Sequence, residues 1–242
     1  RRTLMAASQI KTEGETRTLL AVGDVQLECM MYRNAYASGP SSSEEPLAVV
    51  VLHPYSWLGG CMYDHVVQHL YASFASSGQY NTVIAYNSRG VGRSSGRATM
   101  FGAQKEVGDL KGLCQMLMSN LVHPPKKVLL VGYSHGSCVA CGASTEPYVA
   151  GICAISPPIG SFASSALRLK DLWRVFCQAT TRKFVALGTS DTFCSEKTLR
   201  KQMDGVEAAV KIYERGDHFW SRSGLLESLQ ADVLEWCLAI NA

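Results

Sequence analysis

Short runs of consecutive apolar residues recur along the chain, each followed by a Gly- or Pro-marked loop and a longer segment of helical spacing. Strands are predicted at Leu47 to His53, Thr82 to Tyr86, Val128 to Gly132, Val149 to Ile155, Phe184 to Leu187 and Val210 to Tyr213. Several are apolar almost throughout, as parallel strands covered on both faces must be. Helices are predicted at Met62 to Ser77, Ala103 to Ser119, His135 to Ser144, Glu196 to Met203 and Leu225 to Ile240. In the last of these, Leu225, Leu226, Leu229, Val233, Leu234, Cys237 and Leu238 form a stripe of helical period facing a core. Ahead of this repeat, residues 17 to 36 alternate, with Leu19, Ala21, Val25, Leu27 and Cys29 on the pattern and Gly23-Asp24 as a turn, which reads as an antiparallel hairpin. Ala37 to Pro46 is a loop by composition. The alternation predicts an α/β protein with a mostly parallel central sheet and helices on both faces. One domain over 1–242 is expected, with 1–16 flexible and no internal repeat.

Composition narrows the class. With 47% hydrophobic and 18% charged residues the chain is an ordinary globular protein. A net charge of +3, part of it from Arg1 and Arg2, leaves no basic stripe of the kind that nucleic-acid binding needs. The longest aliphatic run, Leu47 to Leu52, is far short of the roughly 20 residues that cross a bilayer, so no membrane span is expected. No apolar stretch follows the positive N-terminus, so no secretory signal is expected there. Residue 1 is not Met, as when an upstream piece has been cut off or replaced. The 9 cysteines lie mostly inside apolar runs and read as free core thiols of a reducing, cytoplasmic setting. Cys138 and Cys141 form a CxxC, but no second such pair or His pair completes a zinc shell. His65 and His69 are four apart on a predicted helix near Asp64, yet lack the Glu of HExxH or a third ligand. They read as a partly solvated helix face, and no metal is expected.

Candidate chemistry centres on Gly132-Tyr133-Ser134-His135-Gly136, directly after the run Val128 to Val131. A serine hydroxyl attacks well only when lifted clear of the backbone and handed to a base, and a sharp strand-to-helix turn does the lifting. The flanking glycines leave room for that turn. Ser134 is therefore the candidate nucleophile. Its base must be a histidine and the histidine must be oriented by a carboxylate. Of the 6 histidines, His218 follows a strand through Glu214-Arg215-Gly216-Asp217 and would lie at the carboxyl end of the sheet, where ligand groups gather. His123 lies in the loop before Pro124-Pro125, and His135 is fixed beside Ser134 with its side chain elsewhere. Asp191 follows another strand via Gly188-Thr189-Ser190 and is the candidate acid. Asp217, adjacent to His218, is poorly placed to meet it, Asp204 sits at a helix end, and Asp171 has no clear place. The order Ser134, Asp191, His218 is the one expected of such an elbow. An oxyanion needs two amides. His135 offers one. In the loop after Leu47 to His53, Pro54 has no N–H, which leaves Tyr55 or Ser56, of which Tyr55 is chosen.

With these residues assembled, the chain resembles the α/β-hydrolase superfamily over essentially its full length, closest to a small cap-less branch of bacterial and plant-type serine hydrolases. The resemblance rests on His53-Pro54 with Gly59-Gly60, Asn87-Ser88-Arg89-Gly90-Val91-Gly92-Arg93-Ser94, the elbow at 132–136, Gly188 to Asp191, and Gly216-Asp217-His218-Phe219. It implies that Ser134, Asp191 and His218 are a triad and that Asn87 to Ser94 is a structural turn beside the site. Many relatives carry Phe or another aromatic where this chain has His135.

The expected activity is cofactor-independent hydrolysis of a carboxylic ester or thioester, a small-molecule substrate, by a monomer or weak homodimer. The stretch 156–183, where larger relatives insert a lid, has room for a helix or two, and Ser161 to Thr181 is expected to be an abbreviated cap. Trp57, Phe193, Phe219 and Trp220 are expected to line an open pocket for short or medium acyl groups, or alternatively to pack at the sheet edge. The other readings are a catalytically silent binding or scaffold protein of this fold, and an acyltransferase or peptidase with the same triad.

Overall fold

A computed structural model describes residues 14–34, 47–120, 124–160, 164–165 and 167–241. The expected flexibility at the start of the chain, the Ala37 to Pro46 loop, His123 and the first residues of the abbreviated cap fall largely or wholly outside them. The strands are β1 (Glu15–Val22), β2 (Val25–Arg33), β3 (Leu47–Leu52), β4 (Thr82–Tyr86), β5 (Lys127–Tyr133), β6 (Val149–Ile155), β7 (Arg182–Gly188) and β8 (Ala209–Tyr213). They form one sheet in the order β1-β2-β4-β3-β5-β6-β7-β8. β2 runs antiparallel to β1 and β4, and the strands from β4 through β3 to β8 are parallel. The hairpin turns at Gly23-Asp24, where Val22 and Val25 are paired.

The helices are α1 (His65–Ser76), α2 (Gln104–Asn120), α3 (His135–Cys141), α4 (Lys170–Gln178), α5 (Glu196–Gln202) and α6 (Leu225–Asn241). Because successive strand residues point to opposite faces, β3 and β5 divide between two cores. Val49, Val51, Leu129 and Val131 pack with Val66 and Leu70 of α1 and Leu229 and Val233 of α6. Val50, Leu52, Val128 and Leu130 pack with Leu110 of α2, Cys138 of α3, Phe176 of α4 and Leu199 of α5. α1 starts three residues later than its apolar spacing predicts because Asp64 caps it, accepting from the Val66 N–H at 2.9 Å. Between β6 and β7 the described chain carries α4 as its one helix of more than a turn, so the cap is minimal. All nine cysteines are free. Burial pushes the Cys138 thiol up to about 12. Among the described residues no cluster of three or more His, Cys, Asp or Glu is placed to hold a metal, and no helix is long and apolar enough to cross a membrane.

The chain leaves β3 toward one face of the sheet and leaves β5 toward the other, so a crevice opens outside the carboxyl ends of these neighbouring strands. The loop after β4 meets the loop after β3, the Ser88 N–H donating to His53 Nε2 at 3.0 Å. Glu28 on β2 is buried, and its carboxylate accepts from Asn87 Nδ2 and the Arg93 N–H, both at 2.8 Å. Asn87 Oδ1 accepts from the Met62 N–H at 2.8 Å, and Ser94 Oγ donates to the Asn87 carbonyl at 2.7 Å. Gly92 takes φ +56, and a Cβ there would lie 2.3 Å from Asn87 Nδ2. Arg89 fixes this loop to α2 with a two-pronged contact on Asp109, at 2.7 and 2.6 Å. The pair is almost buried, so Asp109→Ala strands a guanidinium that keeps only the exposed Asp24 at 3.3 Å. Loss of one partner of a buried pair costs about 3 kcal/mol. The urea midpoint of Asp109→Ala is expected to fall accordingly; a shift within the scatter of surface mutants would show the loop to be held otherwise.

Candidate active site

Gly132 is the penultimate residue of β5 and Gly136 the second of α3, and the turn between them brings strand and helix into backbone contact. A Cβ on Gly132 would lie 2.4 Å from the Gly136 carbonyl oxygen, and one on Gly136 would lie 2.5 Å from that of His53. Ser134, at the apex, takes φ 53 and ψ −121. This is a backbone region that a non-glycine residue occupies only at a cost of order 1–3 kcal/mol. Its N–H donates to the Ile155 carbonyl at 2.8 Å, which ties the apex to β6.

Asp191 and His218 arrive on two loops that are joined at their bases. Gly188 and Gly216 meet backbone to backbone: a Cβ on Gly188 would lie 2.1 Å from the Gly216 carbonyl oxygen. Ser190 N–H donates to that carbonyl at 2.8 Å, and Arg215 N–H donates to Thr189 Oγ1 at 2.7 Å. Asp191 Oδ1 accepts from the amides of Phe193 at 2.8 Å and Cys194 at 3.1 Å, which leaves Oδ2 for His218 Nδ1 at 2.8 Å. His218 Nε2 lies 2.8 Å from Ser134 Oγ. The histidine loop is held from beneath by Tyr133 Oη, which donates to the His218 carbonyl at 2.9 Å. Ser134, Asp191 and His218 are all buried. With Nδ1–H committed to a carboxylate, Nε2 is left as the acceptor, and a proton can pass between it and the hydroxyl.

The backbone amides of His135, the residue after Ser134, and of Tyr55 have no acceptor among the described residues. The ring of Tyr55 lies 5.2 Å from that of His135, and its hydroxyl donates to the Met100 carbonyl at 2.6 Å. His135 is buried, and desolvation lowers its pKa. His53 anchors the Tyr55 loop. Its Nδ1–H donates to the Pro54 carbonyl at 2.6 Å and its Nε2 accepts from the Ser88 N–H at 3.0 Å.

A cavity of about 270 Å³ opens on Ser134 and His218, walled by Tyr55, Phe193, Phe219, Leu58, Pro158 and Asp64, among others. Phe193 packs against His218 with ring centroids 4.3 Å apart, and Phe219 is 56% exposed at the mouth. Two of the expected pocket aromatics lie elsewhere. Trp220 is 2% exposed because the residue turns inward at φ 53; its indole N–H donates to Ser156 Oγ and its ring packs edge-on to Tyr213. Trp57, 53% exposed, lines a separate cavity of about 750 Å³ with the Gly90 to Ala98 loop, which adjoins the first at Gly59-Gly60. The lining residues Asp64, His65, Leu58, Leu167 and Pro158 were not anticipated. In sequence Asp64 and His65 read as part of a partly solvated helix face, and the remaining three are ordinary apolar residues.

The sequence matches the alpha/beta hydrolase family over residues 49–234. The chain belongs to this family. No curated protein matches it in sequence. Among solved structures, an α/β serine hydrolase homologue from Coxiella burnetii is similar at 22% identity and TM-score 0.71, covering 94% of this chain and 99% of that one. An α/β serine hydrolase without lid from Xanthomonas campestris is similar at 21% identity and TM-score 0.72, covering 93% and 96%. An esterase from Pyrococcus furiosus is similar at 17% identity and TM-score 0.75, covering 94% and 93%. The α/β-hydrolase fold of the chain is shared with these structures.

Within this fold, His53 joins the loop after β3 to the loop after β4. Burial pushes its pKa down from an ordinary 6.5 to about 4, against a smaller opposing effect of the Pro54 carbonyl. Its folded pKa lies below its unfolded one, so the neutral ring contributes stability above pH 6.5. That contribution is lost as pH falls from 6.5 toward 4, by about 3 kcal/mol in all. Unfolding midpoints measured between pH 7 and 4 are expected to drop less steeply for His53→Gln than for the wild type; equal slopes would mean that His53 does not titrate there.

Proposed function

We propose that this α/β hydrolase is a serine hydrolase of carboxylic esters or thioesters, working through an acyl-enzyme on Ser134 and without a cofactor. The observation that carries the reading is the series Ser134 Oγ, His218 Nε2, His218 Nδ1, Asp191 Oδ2, with 2.8 Å at each hydrogen bond, opening on a cavity. Ser134 Oγ attacks the acyl carbon as His218 Nε2 takes its proton. Asp191 fixes the tautomer and stabilises the imidazolium. The His135 and Tyr55 amides receive the oxyanion, each contributing on the order of 3 kcal/mol. Collapse of the tetrahedral intermediate expels the alcohol or thiol, protonated from His218, and water repeats the sequence to release the acid. A protein kept only as a scaffold would have no use for a strained serine aligned with a buried His–Asp pair, which disfavours the binding-protein reading.

Fluorophosphonate labelling of the wild type is expected and should vanish in Ser134→Ala, with turnover of p-nitrophenyl butyrate falling by at least about 10³-fold. Asp191→Asn is expected to lower kcat by a comparable factor with little change in KM, since it offers His218 the wrong tautomer. A folded wild type that neither labels nor turns over would overturn the assignment. The size of the cavity supports short and medium acyl groups. Among p-nitrophenyl acetate, butyrate and octanoate, kcat/KM is expected to peak at butyrate; a maximum at octanoate would place the acyl chain outside this cavity.

A further inference from the structure

One ionisable group in the cavity has no part in the mechanism above. Asp64 lines it together with Ser134 and His218, its side chain 21% exposed. One of its oxygens caps α1 through the Val66 N–H. The Nδ1 of His65 lies 3.9 Å from the same oxygen, beyond hydrogen-bonding distance. His65 is already engaged, its Nε2–H donating to the Phe219 carbonyl at 2.8 Å. Among the described residues that line the cavity there is no lysine or arginine. Burial raises the Asp64 carboxyl above the ordinary carboxylate range, with His65, the helix amides and, least, His218 pulling it back only in part. The carboxylate therefore lines the cavity of Ser134 and His218 with a 3.9 Å contact to His65 as its one ion pair among the described residues, and the same cavity is lined by the aromatic residues Tyr55, Phe193 and Phe219. A carboxylate with aromatic faces is the chemistry that recognises an alkylammonium group.

The side of the site follows from the proton. His218 Nε2 must protonate the departing group, so the alcohol half of the substrate lies against His218. Phe219, 5.4 Å from the His218 ring, and the His65–Phe219 hydrogen bond place the start of α1 on that side. We infer that Asp64 is a specificity-determining residue that selects esters or thioesters whose leaving group carries an alkylammonium. This rests on the acyl-enzyme mechanism proposed above. The C–O or C–S bond to the cationic leaving group breaks as His218 returns its proton, and the aminoalcohol or aminothiol leaves.

The test compares acetylthiocholine with its uncharged isostere 3,3-dimethylbutyl thioacetate, which has the same shape and the same reacting bond. The wild type is expected to favour the cation by about tenfold in kcat/KM. In Asp64→Asn, which retains an oxygen to cap α1, the ratio is expected to fall toward one. A role confined to capping the helix would move both substrates alike and leave the ratio where it was. A wild-type ratio near one, or a ratio insensitive to Asp64→Asn, overturns the inference while leaving ester hydrolysis standing. Absence of turnover with p-nitrophenyl butyrate as well as with both thioesters overturns the inference and the mechanism together.

Discussion

The organisation of the site depends on how closely the start of α3 approaches the ends of β3 and β5. With Gly132 and Gly136 packed backbone against backbone, no side chain separates the helix from the strands, and Ser134 is forced into a left-handed conformation at the apex. Strain of this kind persists only where surrounding structure over-determines it. Here the restraints are the Ser134 N–H bound to β6, the buried α3 behind it and the contact between Gly136 and the His53 carbonyl. The same approach brings the start of α3 against the backbone that leads into the loop carrying Tyr55, so the geometry around Ser134 is a consequence of backbone packing.

A second close backbone contact does the corresponding work for the other two residues. Gly188 and Gly216 let the loops after β7 and β8 touch, and hydrogen bonds across them fix the distance between Asp191 and His218. The two carboxylate oxygens of Asp191 have separate duties: one is held by the Phe193 and Cys194 amides, the other meets the imidazole. Behind the cavity, buried polar groups hold the loops after β3 and β4 against each other. His53 bridges them through Ser88, and Glu28 with Asn87 fills the interior of the turn. A neutral buried imidazole and a hydrogen-bonded buried carboxylate hold loops rigid where an apolar filling could not satisfy their amides.

Side-chain roles within the pocket divide along the same lines. Phe193 and Phe219 reach the cavity because each neighbours a residue whose place the loops already dictate, Asp191 and His218. Trp220, one residue further, inherits the opposite direction and becomes core. His135 packs against Tyr55 and is not among the residues that line the cavity.

What the sequence determined by itself is the order of strands and helices, because apolar periodicity and Gly/Pro punctuation are local properties of the chain. The strands at 82–86 and 149–155 fall where their apolar runs place them, and the others differ by a residue or two at their ends, where pairing rather than composition sets the limit. The positions of Ser134, Asp191 and His218 were also legible, since each follows a strand in a parallel sheet and parallel strands deliver their following loops to one edge. Only the tertiary structure decided which aromatics face the cavity, where α1 begins, and that Asp64 and His65 stand beside His218. Those outcomes depend on the direction of individual side chains after the loops have docked on one another. A one-residue step along a loop reverses that direction without any change in hydrophobic pattern, as Phe219 and Trp220 demonstrate.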